Sequence, residues 1–530
     1  MNNYFAIIIC LSSLILSLIE GANYLDTHHD PIIFSNSLFI MNGLLPYKDF
    51  YVQYGIIQPS INAIFFKLFG ARFLLQNLVV ATTYAIFLYL NYKIIKELIN
   101  ANSALLFLLI LFLLEPFVIL PWPNFFIGLI AAIGLYYFVL YINYKNCNYF
   151  YVTLFLISLL PLTRLNAGII IVPIFIIAGL IITYKSRLGV NYFKFIISIS
   201  PLFLIFYLLN DSDFIKQALI LPSQYILPLY FKIPNDLLYI AALHVQLFFI
   251  EPNLFSVVSA SEILFLWRYI VIIAIFISTG YFIYSLLSRN LFSDNNKIIF
   301  IFAACAGSMS SSVFPIFDSF RAMNAWFPFL IIIFYMAYNS LTMRKFYTIF
   351  TILPVFLIYI NVTTNSVSII SLVNLFKFDN MKIQLIDFSK PFSVVSRDQF
   401  DNTSDEPQAL KLNNQQRLPL DQYIKLKDVL NERCSDKKFI STSEDFFIYL
   451  LLPDMHKKLA HKMYYYQTFK TLKGIAVDAN LELYPNFKNI LNNHKNLCYI
   501  YHHRKPKMLL DDLIKFDEEI TIGDISIFIR

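Results

Sequence analysis

Residues 125–143 have the sequence FFIGLIAAIGLYYFVLYIN, in which no charged side chain occurs. About 20 apolar residues are enough for a helix to cross the hydrocarbon core of a bilayer. Similar stretches recur along the chain, so hydrophobic residues make up 58% of the sequence and charged residues only 14%. Soluble domains contain about 45–50% apolar and about 25% charged residues. The composition therefore predicts a mainly α-helical, polytopic membrane protein.

About eleven stretches have the length and composition of membrane spans. The first has no basic region before it and contains Ser12 and Ser13, so we expect an uncleaved helix rather than a signal peptide. The stretch at 149–161 is too short to cross alone, which predicts irregular backbone around Arg164, near the outer interface and lining a cavity. The predicted spans lie near 4–20, 72–91, 102–120, 125–143, 149–161, 166–184, 195–210, 263–286, 297–315, 324–341 and 346–362.

The basic residues of the short loops set the predicted orientation. Loops rich in Lys and Arg face the cytoplasm, which places the N-terminus inside and the C-terminal region outside. A net charge of +7 over 530 residues is small, and its loop distribution indicates topology rather than nucleic-acid binding. The predicted cytoplasmic residues are Lys93, Lys96, Lys145, Lys185, Arg187, Lys194, Arg289, Lys297, Arg344 and Lys345.

Three segments are predicted to lie on the outer side: the loop 21–71, the stretch 211–262 and the tail from about 363. Within the first two, Ile56–Phe69 and Ala218–Phe231 are too apolar for free loops. We expect both to form amphipathic helices along the membrane surface.

The composition changes near Leu375, where charges become frequent and apolar runs shorten to the length of strands. Residues 1–362 are therefore predicted to form the membrane domain and 375–530 a small extracytoplasmic α/β domain. A hairpin is expected at Gly523 and Asp524. The other predicted elements are strands at Lys438–Ser441, Phe446–Leu452 and Leu497–Tyr501, and helices at 421–432 and 484–493.

The five cysteines lack the close spacing of a zinc site or a redox motif. Only Cys434 and Cys498 share the predicted external domain, and we expect them to remain unpaired rather than to form a disulfide. We find no glycine-rich phosphate loop, nucleophile elbow or zinc signature in the sequence. The sequence therefore predicts no cofactor.

The first external loop collects ionisable side chains, from Asp26 through His29 to Asp30, before a predicted turn that contains Tyr47 and Asp49. A carboxylate at the membrane surface can deprotonate an acceptor hydroxyl group, because partial desolvation raises its pKa. The alternative is that these carboxylates cap helices or keep the loop solvated. Adjacent histidines point in different directions, so at most one of His28 and His29 would join a site with Asp30.

Two arginines near the outer side are candidates for binding phosphate. A guanidinium group donates several hydrogen bonds to a phosphate at once, and Arg164 follows the short stretch that ends near Pro161. Arg321 is three residues from Asp318, so the two side chains either share one helix face in a site or pair with each other. Glu115, near an outer helix end, is either functional or simply reaches water.

These residues resemble those of the polytopic C-type glycosyltransferases, which transfer a sugar from a polyprenyl-phosphate carrier on the outer side of the membrane. The resemblance rests on the acidic loop ending at Asp30, on Gly43–Phe50 and on Phe314–Arg321. It implies a glycan, lipid or protein acceptor and a bacterial cytoplasmic (inner) membrane location.

The resemblance also assigns roles to residues. Asp30 matches the catalytic base of the superfamily, with Asp26 as the rival and Asp49 as a second catalytic candidate. Arg164 and Arg321 would bind the carrier phosphate, and Asp26, His29, Tyr47 and Asp318 would contact substrate. Many members have Asp-Glu where this chain has Asp30-Pro31, so no metal is predicted.

Two other functions remain open at this point. A transporter or lipid flippase has a similar number of spans, but transporters usually show repeated halves and charged or broken helices near the bilayer midplane. An O-antigen-type polymerase or ligase also works outside on a lipid carrier. The large first loop and the C-terminal domain fit that alternative less well.

Overall fold

The computed structural model describes residues 2–23, 29–50, 52, 55–114, 123–185, 187–215, 319–363, 420–441, 468–470, 476–478, 496–502, 517–523 and 525–530. The chain divides into two compact units. Unit 1 comprises Met1–Glu20, Leu78–Tyr207 and Lys232–Lys382, and unit 2 comprises Gly21–Asn77, Leu208–Phe231 and Ile383–Arg530. The domain boundaries proposed from the sequence, 1–362 and 375–530, stay a prediction.

The described residues are mainly helical. Helices occupy nine of the eleven predicted span positions, and the other two, 263–286 and 297–315, lie outside the described residues. The helices are α1 (Asn2–Asn23), α2 (His29–Met41), α3 (Ile57–Phe69), α4 (Phe73–Leu98), α5 (Ala101–Leu114), α6 (Pro123–Tyr144), α7 (Cys147–Ser158), α8 (Leu160–Thr163), α9 (Leu165–Lys185), α10 (Tyr192–Ser198), α11 (Ser200–Leu208), α12 (Ser212–Ile215), α13 (Ser319–Ser340), α14 (Met343–Thr363) and α15 (Leu420–Arg433).

Two described helices, Leu74–Leu98 and Phe125–Tyr144, are long and apolar enough to cross a bilayer by themselves. Together with shorter apolar helices such as Ala101–Leu113 and Cys147–Thr163, they indicate an integral membrane protein. The count of about eleven spans stays a prediction. The predicted span 195–210 also stays a prediction; its helix is interrupted at Ile199 and divides into α10 and α11, just before Pro201, which cannot donate a backbone hydrogen bond.

In unit 1, the helices α6, α7 and α9 pack closely at glycines. The Thr153 hydroxyl donates to the Gly134 carbonyl at 3.2 Å, and a Cβ atom at Gly134 would lie 2.6 Å from Ile157 Cδ1. A Cβ atom at Gly179 would overlap the Phe150 ring. Small residues let membrane helices approach until their backbones nearly touch, and van der Waals packing then stabilises the association.

One end of unit 1, here called the basic end, carries the predicted cytoplasmic residues. Here α4, α6, α9 and α13 end, and α1, α5, α7, α10 and α14 begin. Four hydrogen bonds join these ends: Asn2 to Asn102 at 2.6 Å, Tyr144 to Glu97 at 3.2 Å, Lys194 to Asn148 at 2.9 Å and Asn100 to Tyr338 at 3.3 Å. The basic residues at these ends are Lys93, Lys96, Lys145, Lys185, Arg187, Lys194, Arg344 and Lys345. Arg289 and Lys297 lie outside the described residues.

In unit 2, the helices α2 and α3 pack against each other, with the Phe34 and Phe66 ring centroids 4.8 Å apart. The predicted helix at Ile56–Phe69 is confirmed as α3. Its apolar side is the exposed one, since Leu68 is 68% and Ile64 60% exposed. Its polar residues Gln58 and Asn62 are buried. This polarity fits a helix whose outer face meets lipid, and its place at the membrane surface stays a prediction.

The C-terminal part of unit 2 contains a four-stranded sheet in the order β1-β4-β6-β5. β1 and β4 are parallel, whereas β4, β6 and β5 are antiparallel neighbours. The hairpin predicted at Gly523 is confirmed, with φ of 57° at that glycine. The strands are β1 (Lys438–Ser441), β2 (Thr468–Lys470), β3 (Ala476–Asp478), β4 (Leu497–His502), β5 (Glu518–Ile522) and β6 (Ile525–Ile529), with β2 and β3 forming a separate pair.

The predicted helix at 421–432 and the strands at 438–441 and 497–501 are confirmed as α15, β1 and β4. The strand predicted at Phe446–Leu452 and the helix predicted at 484–493 lie outside the described residues. Whether these elements form a separate external domain stays a prediction.

The expectation that Cys434 and Cys498 remain unpaired is wrong, because the two form a disulfide. Cys434 follows α15 and Cys498 is the second residue of β4, so the bond ties the helix to the middle of the sheet. The two cysteines are 64 residues apart in the sequence, so their proximity could not be predicted from their spacing. The parallel pairing of β4 with β1, which begins four residues after Cys434, brings the two cysteines together.

Candidate functional site

The proposed base Asp30 is the second residue of α2, so the acidic segment ends in a helix rather than in a loop. His29 begins the same helix, whereas Asp26 and His28 lie outside the described residues. The catalytic role of Asp30 and the substrate contact of His29 stay predictions.

The predicted turn after α2 is confirmed, and Gly43 forms it. Gly43 has φ of 84°, a left-handed conformation that favours glycine. Its amide donates to the Ile40 carbonyl at 2.9 Å, and the Leu44 amide donates to the Phe39 carbonyl at 3.0 Å. This is the Schellman arrangement, which satisfies the last carbonyls of a helix and redirects the chain. The glycine therefore sets the direction in which the following residues leave α2.

Asp49 stabilises the turn that contains Tyr47. Its Oδ2 atom accepts a hydrogen bond from the Leu45 amide at 2.8 Å, and its own amide donates to the Leu45 carbonyl at 2.9 Å. The half-buried carboxylate thus has a structural role in holding the turn closed. Its proposed catalytic role stays a prediction.

Tyr47 is buried, with φ of 66°, which is unusual for a residue with a side chain. Its ring meets the Phe214 ring edge to face, with centroids 4.8 Å apart. Burial raises the pKa of the Tyr47 hydroxyl well above its ordinary value, because the charged phenolate would lose its contact with water. Tyr47 therefore connects the turn to α12, and its predicted contact with substrate stays a prediction.

In unit 1, Arg164 lies at the apex of a helical hairpin. The chain runs up α7 and α8, reverses at Arg164 and returns along α9. Gly168 opposes Pro161 near the apex, and Gly179 opposes Phe150 farther down, which shows that the arms are antiparallel. Arg164 has extended backbone (φ −162°, ψ 116°), and its amide donates to the Leu160 carbonyl at 2.8 Å. The predicted break in the helix is confirmed, whereas the cavity stays a prediction.

Gly168 makes the tight reversal at Arg164 possible. A Cβ atom there would overlap the Pro161 ring and the Pro161 backbone nitrogen. We expect Gly168→Ala to lower the free energy of unfolding by about 1–3 kcal/mol, the usual cost of overpacking. Gly189→Ala is the matched control, since nothing lies within 4 Å of that Cβ position. Thermal denaturation of the purified variants measures both effects, and equal midpoints for the two variants would contradict the packing argument.

Arg164 and Arg321 lie at the same end of unit 1, opposite the basic end. α9 ends at the basic end, where the Tyr141 and Thr183 hydroxyl groups are 2.7 Å apart, so its first residues lie at the other end. α13 also ends there, and it begins with Ser319, which places Arg321 in its first turn. Asp318 lies outside the described residues, so its contacts with substrate stay a prediction, as does Arg321's binding of phosphate.

Metal binding is not supported by the described part of the chain, in which no group of three or more His, Cys, Asp or Glu side chains is placed to hold an ion. Asp26, His28 and Glu115 are outside that part. Independence from metals therefore stays a prediction.

The sequence analysis missed a group of buried polar residues in α2 and α3: Ser35, Asn36, Gln58 and Asn62. The signal was available at Gln58 and Asn62, which are four residues apart and therefore on one helix face. A helix along the membrane surface, which the sequence predicted here, would ordinarily turn its polar face to water.

Comparison with known proteins identifies the fold. No protein-family model matches the chain, and no curated protein matches it in sequence. The chain is similar to ArnT from Cupriavidus metallidurans, whose crystal structure contains bound undecaprenyl phosphate. The alignment covers 98% of this chain and 97% of the ArnT chain, with a TM-score of 0.53. The chain resembles ArnT in fold. Sequence identity to ArnT is 9%, so the similarity concerns the fold alone.

The chain therefore shares the fold of ArnT over nearly the whole length of both chains. A second solved structure is the oligosaccharyltransferase of Archaeoglobus fulgidus in complex with zinc and sulfate. Its alignment covers 84% of this chain and 61% of the oligosaccharyltransferase chain. Its identity is 11% and its TM-score is 0.41, a weaker similarity than that of ArnT.

Proposed function

We propose that the protein is a membrane glycosyltransferase that moves a sugar from a polyprenyl-phosphate carrier to an acceptor on the outer face of the membrane. The observation that carries the proposal is the similarity in fold to ArnT over nearly the whole length of both chains. ArnT was crystallised with undecaprenyl phosphate, which is a polyprenyl phosphate. A ligand of this kind needs both lipid-exposed apolar surface and a cation for its phosphate group.

The proposed reaction uses one base and at least one cation. Asp30 takes the proton from an acceptor hydroxyl group, whose oxygen forms a bond to the anomeric carbon of the sugar. The bond from that carbon to the phosphate oxygen breaks, and polyprenyl phosphate leaves with the bonding electrons. A guanidinium group stabilises the charge that develops on the leaving phosphate. We assign this role to Arg164 and Arg321.

The position of Arg164 supports its assignment. The residue is half-buried at the end of unit 1 opposite the basic end, on extended backbone between two helices. Partial burial strengthens hydrogen bonds between a guanidinium and a phosphate, because water competes less for both. Several donors in one plane also fix the orientation of the phosphate group. The acceptor is a glycan, a lipid or a protein.

We further propose that the N-terminus is cytoplasmic, that the C-terminal region is external and that the membrane is a bacterial cytoplasmic membrane. Asn2 and Asn3 lie at the basic end, which the positive-inside rule assigns to the cytoplasm. The disulfide between Cys434 and Cys498 supports an external location for the C-terminal region. Disulfides persist in oxidising compartments and are rare in the cytosol.

This orientation predicts the behaviour of reporter fusions. A phosphatase reporter, which is active only outside the cytoplasm, is expected to be inactive when joined at Asn146 or Asn290 and active when joined at Asn402. Asn146 lies at the basic end, between α6 and α7. A cytoplasmic reporter gives the opposite pattern. Cytoplasmic reporting at Asn402 would rule out both the topology and an external active site.

The activity is tested by incubating the purified protein with a panel of polyprenyl-phosphate sugars labelled in the sugar. We expect one donor in the panel to lose its label to an added acceptor or to water. A panel in which no donor is consumed, with protein that is folded and inserted in lipid, would contradict the proposed function.

A further inference from the structure

Helix α10 begins at the basic end with exposed aromatic side chains beside a lysine. Tyr192 is 78% exposed and Phe193 73% exposed, and Lys194, which follows them, is also exposed. One turn later, Ile196 and Ile197 are exposed as well. The surface of α10 therefore changes from aromatic and cationic at its start to aliphatic farther along. A helix that begins in the headgroup layer of a bilayer and continues among the acyl chains has this order of side chains.

The ammonium group of Lys194 is held at the start of α7. Its Nζ atom donates a hydrogen bond to Asn148 Oδ1 at 2.9 Å, and the Asn191 amide donates to the Tyr151 hydroxyl group at 2.6 Å. Asn148 is itself exposed and lies in the first turn of α7. A lysine ammonium group has three donors, so the contact with Asn148 leaves donors for a ligand. The cation is thus fixed at a surface that a ligand can reach.

A second cation, Lys145, precedes the same turn of α7. It follows the end of α6 and comes directly before Asn146, the N-cap residue of α7. Its φ of 53° lies in the left-handed region, where glycine is favoured over residues with a side chain. A cation in the last turn of α6 would interact with the helix dipole equally well without this backbone conformation. The lysine therefore indicates a use for charge at this position beyond closing the turn.

The surroundings of these two lysines are poor in carboxylates. No Asp or Glu occurs in the sequence between Glu115 and Asp211, so α6, α7, α9 and α10 contain none. A carboxylate from α4 does lie close by, since Glu97 Oε2 accepts a hydrogen bond from the Tyr144 hydroxyl group at 3.2 Å. Two lysines precede Glu97 in the same helix, so this region keeps a net positive charge. Such a surface attracts anions.

We propose that this surface binds one anionic phospholipid of the cytoplasmic leaflet, with its phosphate at Lys194, Lys145 and Asn148 and its acyl chains along the exposed side of α10. Ammonium groups and amide nitrogens both donate hydrogen bonds to phosphate oxygens. The exposed aromatic and aliphatic side chains beside the cations favour a lipid over a soluble anion, and anionic lipids are abundant in the cytoplasmic leaflet. The inference goes beyond the proposed function and uses only the proposed orientation, in which the basic end is cytoplasmic.

The site is tested by titrating the purified full-length protein in detergent with phosphatidylglycerol and counting bound lipid by native mass spectrometry. Phosphatidylcholine, which has no net charge, is the comparison lipid. A cation near the membrane surface increases the affinity for anionic lipid about fivefold. We expect Lys194→Gln to weaken phosphatidylglycerol binding by about this factor and to leave phosphatidylcholine binding unchanged. Lys145→Gly, which suits the left-handed backbone, should cause a similar loss.

Lys345→Gln is the matched control for Lys194→Gln. Lys345 is also an exposed lysine at the third position of a helix that begins at the basic end. The aromatic residue beside it, Phe346, is buried, and its ring centroid lies 5.0 Å from that of Phe334. We expect this variant to keep the wild-type affinity for phosphatidylglycerol. An equal loss in Lys194→Gln and Lys345→Gln would show that only the total charge of the basic end attracts the lipid, which would overturn a specific site.

Competition with inorganic phosphate at constant ionic strength distinguishes a lipid from a soluble anion. Inorganic phosphate has no acyl chains, so we expect it to leave phosphatidylglycerol bound. Displacement of the lipid would show that the cations bind a free anion, and equal wild-type affinities for the two phospholipids would show that charge is not recognised. Either result would overturn the proposed site. The titration needs no sugar donor, so its outcome is separate from that of the sugar-transfer assay.

Discussion

Asp30→Asn is expected to lower the rate of sugar transfer by about 10²–10⁴-fold, the usual effect of losing a positioned general base. Asparagine keeps the size of the side chain and part of its hydrogen bonding, but it cannot accept the proton of the acceptor hydroxyl. Asp30 is in the first turn of α2, where asparagine is also tolerated. The variant should therefore be folded, inserted in the membrane and able to bind donor. Initial rates at saturating donor measure the effect.

Two neighbouring carboxylates serve as controls for Asp30. Asp49→Asn should cause a smaller loss, because Asp49 Oδ2 holds the turn through the Leu45 amide and an amide oxygen can accept the same bond. Asp26→Asn tests the rival base. Loss of activity in Asp26→Asn with a normal rate in Asp30→Asn would transfer the role to Asp26. Normal rates in both variants would contradict an enzyme that uses this loop and would favour transport.

Arg164→Ala is expected to weaken donor binding by about 10- to 100-fold, since hydrogen bonds to charged groups contribute about 1.5–3 kcal/mol. Arg164→Lys should give an intermediate loss, because lysine keeps the charge but lacks the planar set of donors. Both variants should express and insert normally, as the backbone at the apex is extended and suits any residue. Equilibrium binding of labelled donor measures the effect.

Arg187→Ala is the matched control for Arg164. Arg187 is also an arginine beside α9, but it follows the other end of that helix and is exposed at the basic end. Its loss should leave donor affinity unchanged. Donor affinity that is normal in Arg164→Ala, or equally reduced in both variants, would remove Arg164 from the phosphate site.

The parts of the fold that the sequence predicted are those determined by local physics. Long apolar stretches predicted α4 and α6, because crossing a bilayer requires a minimum length of apolar helix. Gly43 and Gly523 predicted turns, because both sites need a left-handed backbone that glycine adopts readily. The reversal at Arg164 followed from a stretch too short to cross the membrane, followed by a proline at position 161.

The predictions that failed concern features that depend on contacts between residues distant in the sequence. The pairing of Cys434 with Cys498 follows from the sheet order, which residue spacing alone does not contain. The orientation of α3 was also missed. Hydrophobic periodicity identifies two faces of a helix, but in a membrane protein the apolar face can meet lipid while the polar face is buried. The burial of Asn62 on the polar face of α3 was therefore not predicted.

The central claim is that the protein breaks the bond between a sugar and a polyprenyl-phosphate carrier. The most direct measurement uses protein reconstituted in vesicles and a donor labelled separately in the sugar and in the lipid. We predict that the sugar label moves to the acceptor while an equal amount of free polyprenyl phosphate appears, and that both products are lost in Asp30→Asn. Movement of the intact, doubly labelled lipid across the bilayer, without release of polyprenyl phosphate, would contradict the account and identify a transporter.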